Sequence, residues 1–179
     1  MTSKLSERNA LWAARRGLYT TVAGNRPTGT NALLEDVVVP VDVLGTTCRD
    51  LTALFDAHGY QDSVIFGHAK DGNIHFMLNE QFRDAKQLVR YRDFTEEMVQ
   101  LILEADGSLK AEHGTGRIMA PFVRRQFGDE LFEVMREIKR LIDPKGFLNP
   151  GVVLADEDTD YATDLKVAET VEEEVDRCV

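Results

Sequence analysis

Ser63-Val64-Ile65-Phe66-Gly67-His68-Ala69-Lys70-Asp71-Gly72-Asn73-Ile74-His75-Phe76-Met77-Leu78 is a short apolar strand, a glycine-bounded loop and a second strand. Glycine lets the backbone turn tightly and approach a neighbour closely, so strand, loop and strand predict a hairpin-like connection with a functional turn. Downstream, Ala111-Glu112-His113-Gly114-Thr115-Gly116-Arg117 repeats the mix of histidine and glycine. The chain has 4 histidines, and three of them lie in these two segments. Imidazoles and a carboxylate held in glycine-rich loops point to a site, where a purely structural segment would carry apolar residues.

Working outward, the elements alternate. Ser6 and Glu7 open a helix through Leu11, Ala14, Leu18 and Val22, which Gly24 ends. Asn31 to Pro40 reads as a strand, and Asp42 to Ala57 as a helix with Leu44, Cys48, Leu51 and Phe55 on one face. Gln81 to Ala105 is helical, as are Ala120 to Phe127 and Glu130 to Ile142 on either side of Gly128. Asp143-Pro144-Lys145-Gly146 and Leu148-Asn149-Pro150-Gly151 break the last helix and turn the chain out. Strands mixed with helices, without regular βαβ units, predict an α+β domain: an antiparallel β-sheet flanked by helices. The domain is expected over residues 1–154, followed by an acidic tail over 155–179 with a weak helical pattern (Leu165, Ala168, Val171, Val175).

At 179 residues, 43% hydrophobic and 29% charged, the chain fits one globular domain. The net charge is −10, but residues 155–179 hold ten acidic groups against Lys166 and Arg177, leaving the body nearly neutral. A nearly neutral body carries no basic footprint for nucleic acid. No apolar run approaches the ~20 residues of a membrane helix, and Met1 to Arg8 lacks a secretory signal's apolar core; a cytoplasmic location is expected. Cys48 and Cys178 are far apart, with no reason to pair in a cytosolic chain, and Cys48 is expected in the core.

His68, His75 and Glu112 supply two imidazoles and one carboxylate, the usual three-ligand set of a catalytic divalent metal with a position left open. The seven-residue interval is no zinc signature, and histidines in ordinary hydrogen bonds account for the spacing equally well. His113 follows Glu112 directly, so one side chain can ligate while the other faces a reacting atom as general base. Asn73 is either a turn former or a polar group beside the metal. Arg117 suits a carboxylate or phosphate, and Arg15 and Arg16 read first as solvated surface.

Three further stretches sharpen this picture: Leu11-Trp12-Ala13-Ala14-Arg15, Glu35-Asp36-Val37-Val38-Val39-Pro40-Val41, and Asp143-Pro144-Lys145-Gly146-Phe147-Leu148-Asn149-Pro150-Gly151. With the two histidine segments, in this order, they resemble the C-terminal cap domain of FAD-linked oxidases in the vanillyl-alcohol-oxidase-like superfamily, nearest the D-lactate dehydrogenase and glycolate oxidase branch. The resemblance spans about Leu11 to Leu154. It implies His68, His75 and Glu112 as ligands of a divalent metal, zinc first. His113 becomes the base that takes the substrate hydroxyl proton near the flavin, Arg15 the carboxylate-binding arginine, Asn73 a substrate-side polar group, and Asn149 a residue approaching the flavin.

The implied reaction oxidises a D-2-hydroxy acid by hydride transfer to FAD, with the acid held by metal and arginine. Relatives acting on longer diacids carry a lysine where Leu34 aligns, which favours a short monocarboxylate such as D-lactate. The resemblance also implies that an FAD-binding domain or subunit must supply the flavin, and that the isolated chain is inactive. It implies an electron acceptor, and it is compatible with peripheral membrane association of a longer parent protein. Val175-Asp176-Arg177-Cys178-Val179 resembles the start of the cysteine motif in iron–sulfur-fused D-lactate dehydrogenases, so Cys178 is expected as first ligand of a cluster completed only in that parent. Two readings compete: a stand-alone metal-dependent hydrolase using the same two-His, one-Glu set, and an inactive association module.

Overall fold

The computed structural model describes residues 3–156 and 158–165. Its helices are α1 (Leu5–Gly24), α2 (Leu44–Ala57), α3 (Ala85–Glu104) and α4 (Val123–Ile142), and its strands are β1 (Asn31–Val38), β2 (Val64–Phe66) and β3 (Asn73–Glu80). The strands form one antiparallel sheet in the order β1-β3-β2. This is the α+β architecture expected. The tail pattern from Ala168 onward and Cys178 fall outside the described residues.

Strand boundaries follow from backbone chemistry. β1 runs antiparallel to β3 over its full length, from Asn31 opposite Glu80 to Val38 opposite Asn73. Beyond it the Val39 N–H still donates to the Gly72 carbonyl at 3.0 Å, and Pro40, with no N–H to give, ends the pairing. Gly72 has φ 70, and a Cβ there would collide with the Val39 carbonyl oxygen. A Cβ on Gly67 would likewise meet the Asn73 carbonyl oxygen. Glycine at both ends of the loop is therefore a steric requirement. α3 starts at Ala85, later than the periodicity predicts, because Asp84 caps it by accepting from the Gln87 N–H. Around Gly128 (φ 78, ψ 168) the last helix is broken into the two pieces expected.

Period-2 alternation divides the sheet into two faces. Val37, Ile74, Phe76 and Leu78 join Leu51 and Phe55 of α2 and Phe94, Met98, Val99 and Ile102 of α3 in one apolar core. Leu34, Asp36 and Val38 stand opposite Met77, His75 and Asn73, so they share the other face. Helices thus cover one face, and the histidine strand offers the other to α1 and the loop after α3.

β3 ends in a buried ionic lock. Glu80 is 1% exposed; Arg90 grips it with Nε–Oε2 3.0 Å and Nη2–Oε1 2.8 Å. The Tyr60 hydroxyl donates to Oε2 at 3.0 Å, and the Gln81 N–H donates to Oε1 at 2.9 Å. Burial, then the Glu80 charge, pushes the Tyr60 hydroxyl pKa up.

Two amphipathic faces stay open among the described residues. None of α1's residues is buried; only Arg15, Leu18, Val22 and Ala23 are half-covered. On α4, Leu131, Val134, Ile138, Leu141 and Ile142 are each more than half exposed. The start of the acidic stretch is docked: Arg92 pairs with Asp160 at 2.7 Å and Tyr161 packs on Tyr91 and Phe122. Cys48 is half-buried against the core, and burial raises its thiol pKa. No helix among the described residues is long and apolar enough to cross a membrane.

Candidate metal centre

His75 is the fixed point. It sits mid-strand in β3, 2% exposed, with Phe66 of β2 packed 5.5 Å from its ring. His68 comes from the loop, where the short 3₁₀ turn Ala69–Asp71 brings its ring to 5.4 Å from that of His75. Glu112 arrives from the segment after α3, as expected. Its Oε1 lies 2.9 Å from His75 Nε2 and 3.3 Å from His68 Nε2. Three donor atoms from His68, His75 and Glu112 lie within 4.8 Å of one another. Donors bound tetrahedrally at about 2.0–2.2 Å stand roughly 3.3–3.5 Å apart. The set therefore fits a divalent cation by chemistry and by spacing.

His113 stacks flat on His75, centroids 4.8 Å apart and planes 5° from parallel. Its Nε2 is 3.7 Å from Glu112 Oε1 and its Nδ1 is 4.0 Å from Asp36 Oδ2, so the ring nitrogens lie beyond hydrogen-bond distance of both. A partly exposed imidazole with uncommitted nitrogens can move a proton.

Asn73 is buried, and its amide is committed. Nδ2 donates to Asp36 Oδ1 at 2.7 Å, and Oδ1 accepts from the His68 N–H at 3.2 Å. These contacts give Asn73 the work of holding the loop in place. Arg15 lies 5.4 Å over the Phe66 ring, and with Arg8, Leu11, Trp12, Gly67 and His68 it lines a hollow of about 250 Å³. One face of that hollow is a candidate metal ligand and another is a guanidinium. Arg16 and Arg117 are exposed. Asn149 is not brought here; it has φ 44 and lines a separate apolar hollow with Met135, Ile138 and Ile142.

Asp36 has no role in the reading of the sequence, yet it lies at the centre. It is 0% exposed and directly opposite His75 in the strand register. Its Oδ2 accepts from the N–H groups of Ala111, Glu112 and His113 at 3.1, 2.7 and 2.9 Å. Its Oδ1 lies 3.2 Å from His75 Nδ1 on a bent approach short of an aligned hydrogen bond. A carboxylate inside Leu33-Leu34-Glu35-Asp36-Val37-Val38 was the available signal, since a buried charge in an apolar strand must be paired. Asp36, His75 and His113 form a second grouping of donor atoms. There Asp36 Oδ2 is already taken by three N–H donors and Oδ1 by the Asn73 amide, so this carboxylate is less available to a cation than that of Glu112.

Burial holds the His75 pKa below the ordinary histidine value, against the opposing pull of the Asp36 charge, so the ring is neutral and fit to ligate at neutral pH. Burial raises the Asp36 pKa, but hydrogen bonds from Glu112, His113, Asn73 and Ala111 outweigh it and the net shift is down. Both folded-state pKa values are depressed, so each contribution is present above the unfolded value and lost as pH falls. Metal-free protein is expected to hold near-constant stability between pH ~7 and ~8, lose some below ~6.5 as unfolded histidine protonates, and lose more below ~4. Urea midpoints measured from pH 8 to 3 check this; a profile flat down to pH 4 contradicts the His75 contribution.

A helix-backed antiparallel sheet with a two-histidine, one-carboxylate set on its open face defines an α+β domain built around a candidate metal centre. The chain matches the family described as "FAD linked oxidases, C-terminal domain" over residues 1–153, and it belongs to that family. It is 31% identical over 147 residues to the glycolate oxidase subunit GlcD of Bacillus subtilis (strain 168), covering 82% of this chain and 30% of that protein. It is 31% identical over 147 residues to a probable mitochondrial D-lactate dehydrogenase of Danio rerio, covering 82% and 29%. To the D-2-hydroxyglutarate dehydrogenase of Escherichia coli (strain K12) it is 32% identical over 126 residues, covering 70% and 12%. The chain thus spans less than a third of the length of these relatives.

Proposed function

We propose that this chain is the substrate- and metal-binding part of a flavin-dependent oxidoreductase acting on a D-2-hydroxy acid, with D-lactate the first candidate. The observation that carries the reading is the convergence of His68, His75 and Glu112 beside a hollow lined by Arg15. His68 and His75 hold a divalent metal, zinc first, through their Nε2 atoms, and Glu112 holds it through a carboxylate oxygen. Arg15 binds the substrate carboxylate and fixes its orientation. His113 accepts the substrate hydroxyl proton on a ring nitrogen, while Asn73 keeps the His68 loop in register. Asn149 is assigned to the flavin side. When bound, the metal acidifies the substrate hydroxyl and FAD, held mainly by a separate FAD-binding domain, accepts the hydride.

Leu34 supports the choice of a short acid. It stands on the site face two residues from Asp36 and offers no charge to a second carboxylate. Zinc-loaded chain is expected to bind D-lactate, and Arg15→Ala is expected to weaken that binding roughly tenfold or more through loss of one charged hydrogen-bonding partner. Titration calorimetry measures both. Equal binding by wild type and Arg15→Ala would remove the arginine from the substrate site. Metal-dependent turnover of an ester or amide panel without flavin would favour the hydrolase reading instead.

A further inference from the structure

We propose that Asp36 is the positioning residue of this centre: its buried carboxylate sets the His75 ring and the Glu112–His113 backbone in one frame. The inference deepens the metal-site reading above and concerns a residue to which that reading gives no part.

Geometry carries it. Glu112 and His113 are adjacent in sequence, and both are half-exposed on a glycine-flanked loop. A loop held through its side chains would have those side chains occupied. Here the grip is on the main chain, three consecutive N–H groups converging on one oxygen of Asp36. The Glu112 carboxylate and the His113 ring are thereby left free to act. The other oxygen faces Asn73 Nδ2 and His75 Nδ1, which turns His75 Nε2 toward Glu112 and, with a cation on that side, holds the proton on Nδ1. One carboxylate therefore links a ligand on β3, a ligand and a base on the later loop, and, through Asn73, the loop bearing His68.

Beside it, Lys110 pairs with Glu35 at 2.5 Å, and Val38 exchanges hydrogen bonds with Ser108 at 3.0 and 2.8 Å. β1 thus anchors the loop at three points, Glu35, Asp36 and Val38. A fully buried carboxylate is costly unless hydrogen-bonded on all sides. An apolar residue would fill the space without directing any of these groups, and partners around ligating imidazoles set tautomer and affinity.

The test uses the 179-residue chain. NMR on metal-free wild type should find the amides of Ala111, Glu112 and His113 exchanging slowly. Asp36→Asn should speed exchange at those three amides by roughly ten- to a hundredfold and weaken zinc binding, read by chelator competition, by about ten- to a hundredfold. A folded Asp36→Asn that melts lower but keeps zinc affinity within about twofold, with His75 unchanged, makes the residue a structural anchor only and overturns the proposal. Where Asp36→Asn does not fold, wild type decides: three fast amides overturn it. Should wild type bind no zinc, the metal reading fails by itself, while amide exchange still decides the role of Asp36.

Discussion

His75→Ala is expected to weaken zinc binding by about a thousandfold. Apparent structural zinc affinities correspond to about 10–16 kcal/mol, and one ligand's share, about 4 kcal/mol, equals three decades of affinity. His75 is chosen because it is 2% exposed and held within β3, which fixes its ring more firmly than the loop ligands. His68→Ala and Glu112→Ala act on half-exposed loop residues and should also lower affinity, but with little change in melting. His113→Ala breaks the alternative grouping with Asp36 and His75 and should leave zinc binding intact. Chelator competition, with circular dichroism to monitor folding, measures all four. Wild-type zinc content in the His75, His68 and Glu112 variants alike would end the metal assignment.

Arg90→Ala is expected to cost about 3–5 kcal/mol of folding stability, because it leaves the Glu80 carboxylate buried without its cation. That is a large share of the ~5–15 kcal/mol typical of a domain. The Tyr60 hydroxyl and the Gln81 N–H remain on Glu80, but neither neutralises it. Adding Glu80→Gln to Arg90→Ala should recover much of the loss, since the amide carries no charge to desolvate. Urea unfolding of the two single variants and the double variant measures the coupling. A loss below about 1 kcal/mol in Arg90→Ala would mean that the lock behaves like an ordinary surface pair.

The candidate ligand His75 lies toward the other end of β3 from this lock, so the same strand carries a stabilising ion cluster and a candidate functional one. Phe76, Met77, Leu78 and Asn79 lie between them. The two variants should therefore separate cleanly, Arg90→Ala lowering stability with zinc affinity kept.

Much of the site was legible because its signals are local. Gly67 and Gly72 bracket a turn, and alternation along Asn73-Ile74-His75-Phe76 puts His75 on one face and Ile74 and Phe76 on the other. His113 next to Glu112 implied diverging side chains, whereas both come to His75, the imidazole stacked at 4.8 Å and the carboxylate 2.9 Å from Nε2. What stayed hidden involves partners distant in sequence. Asp36 read only as a polar residue in an apolar strand, because the N–H groups that satisfy it come some 75 residues later. Asn73 read as a turn former or a polar group beside the metal, and nothing local shows that its amide is committed to Asp36. The apolar stripes of α1 and α4 were legible as stripes, but periodicity says that a face is apolar and not whether anything in this chain covers it.

By itself the sequence determined the elements, their order, the α+β class and the three candidate ligands, since propensity, period and turn chemistry act over a few residues. Only the tertiary structure decided that Asp36 stands opposite His75, that the helices take the Ile74–Phe76 face, and that Arg15 rather than Asn149 comes to the histidines. Register and face are set by which distant strands and helices bury surface together. That is a property of the whole packed chain, and no single stretch of it carries the information.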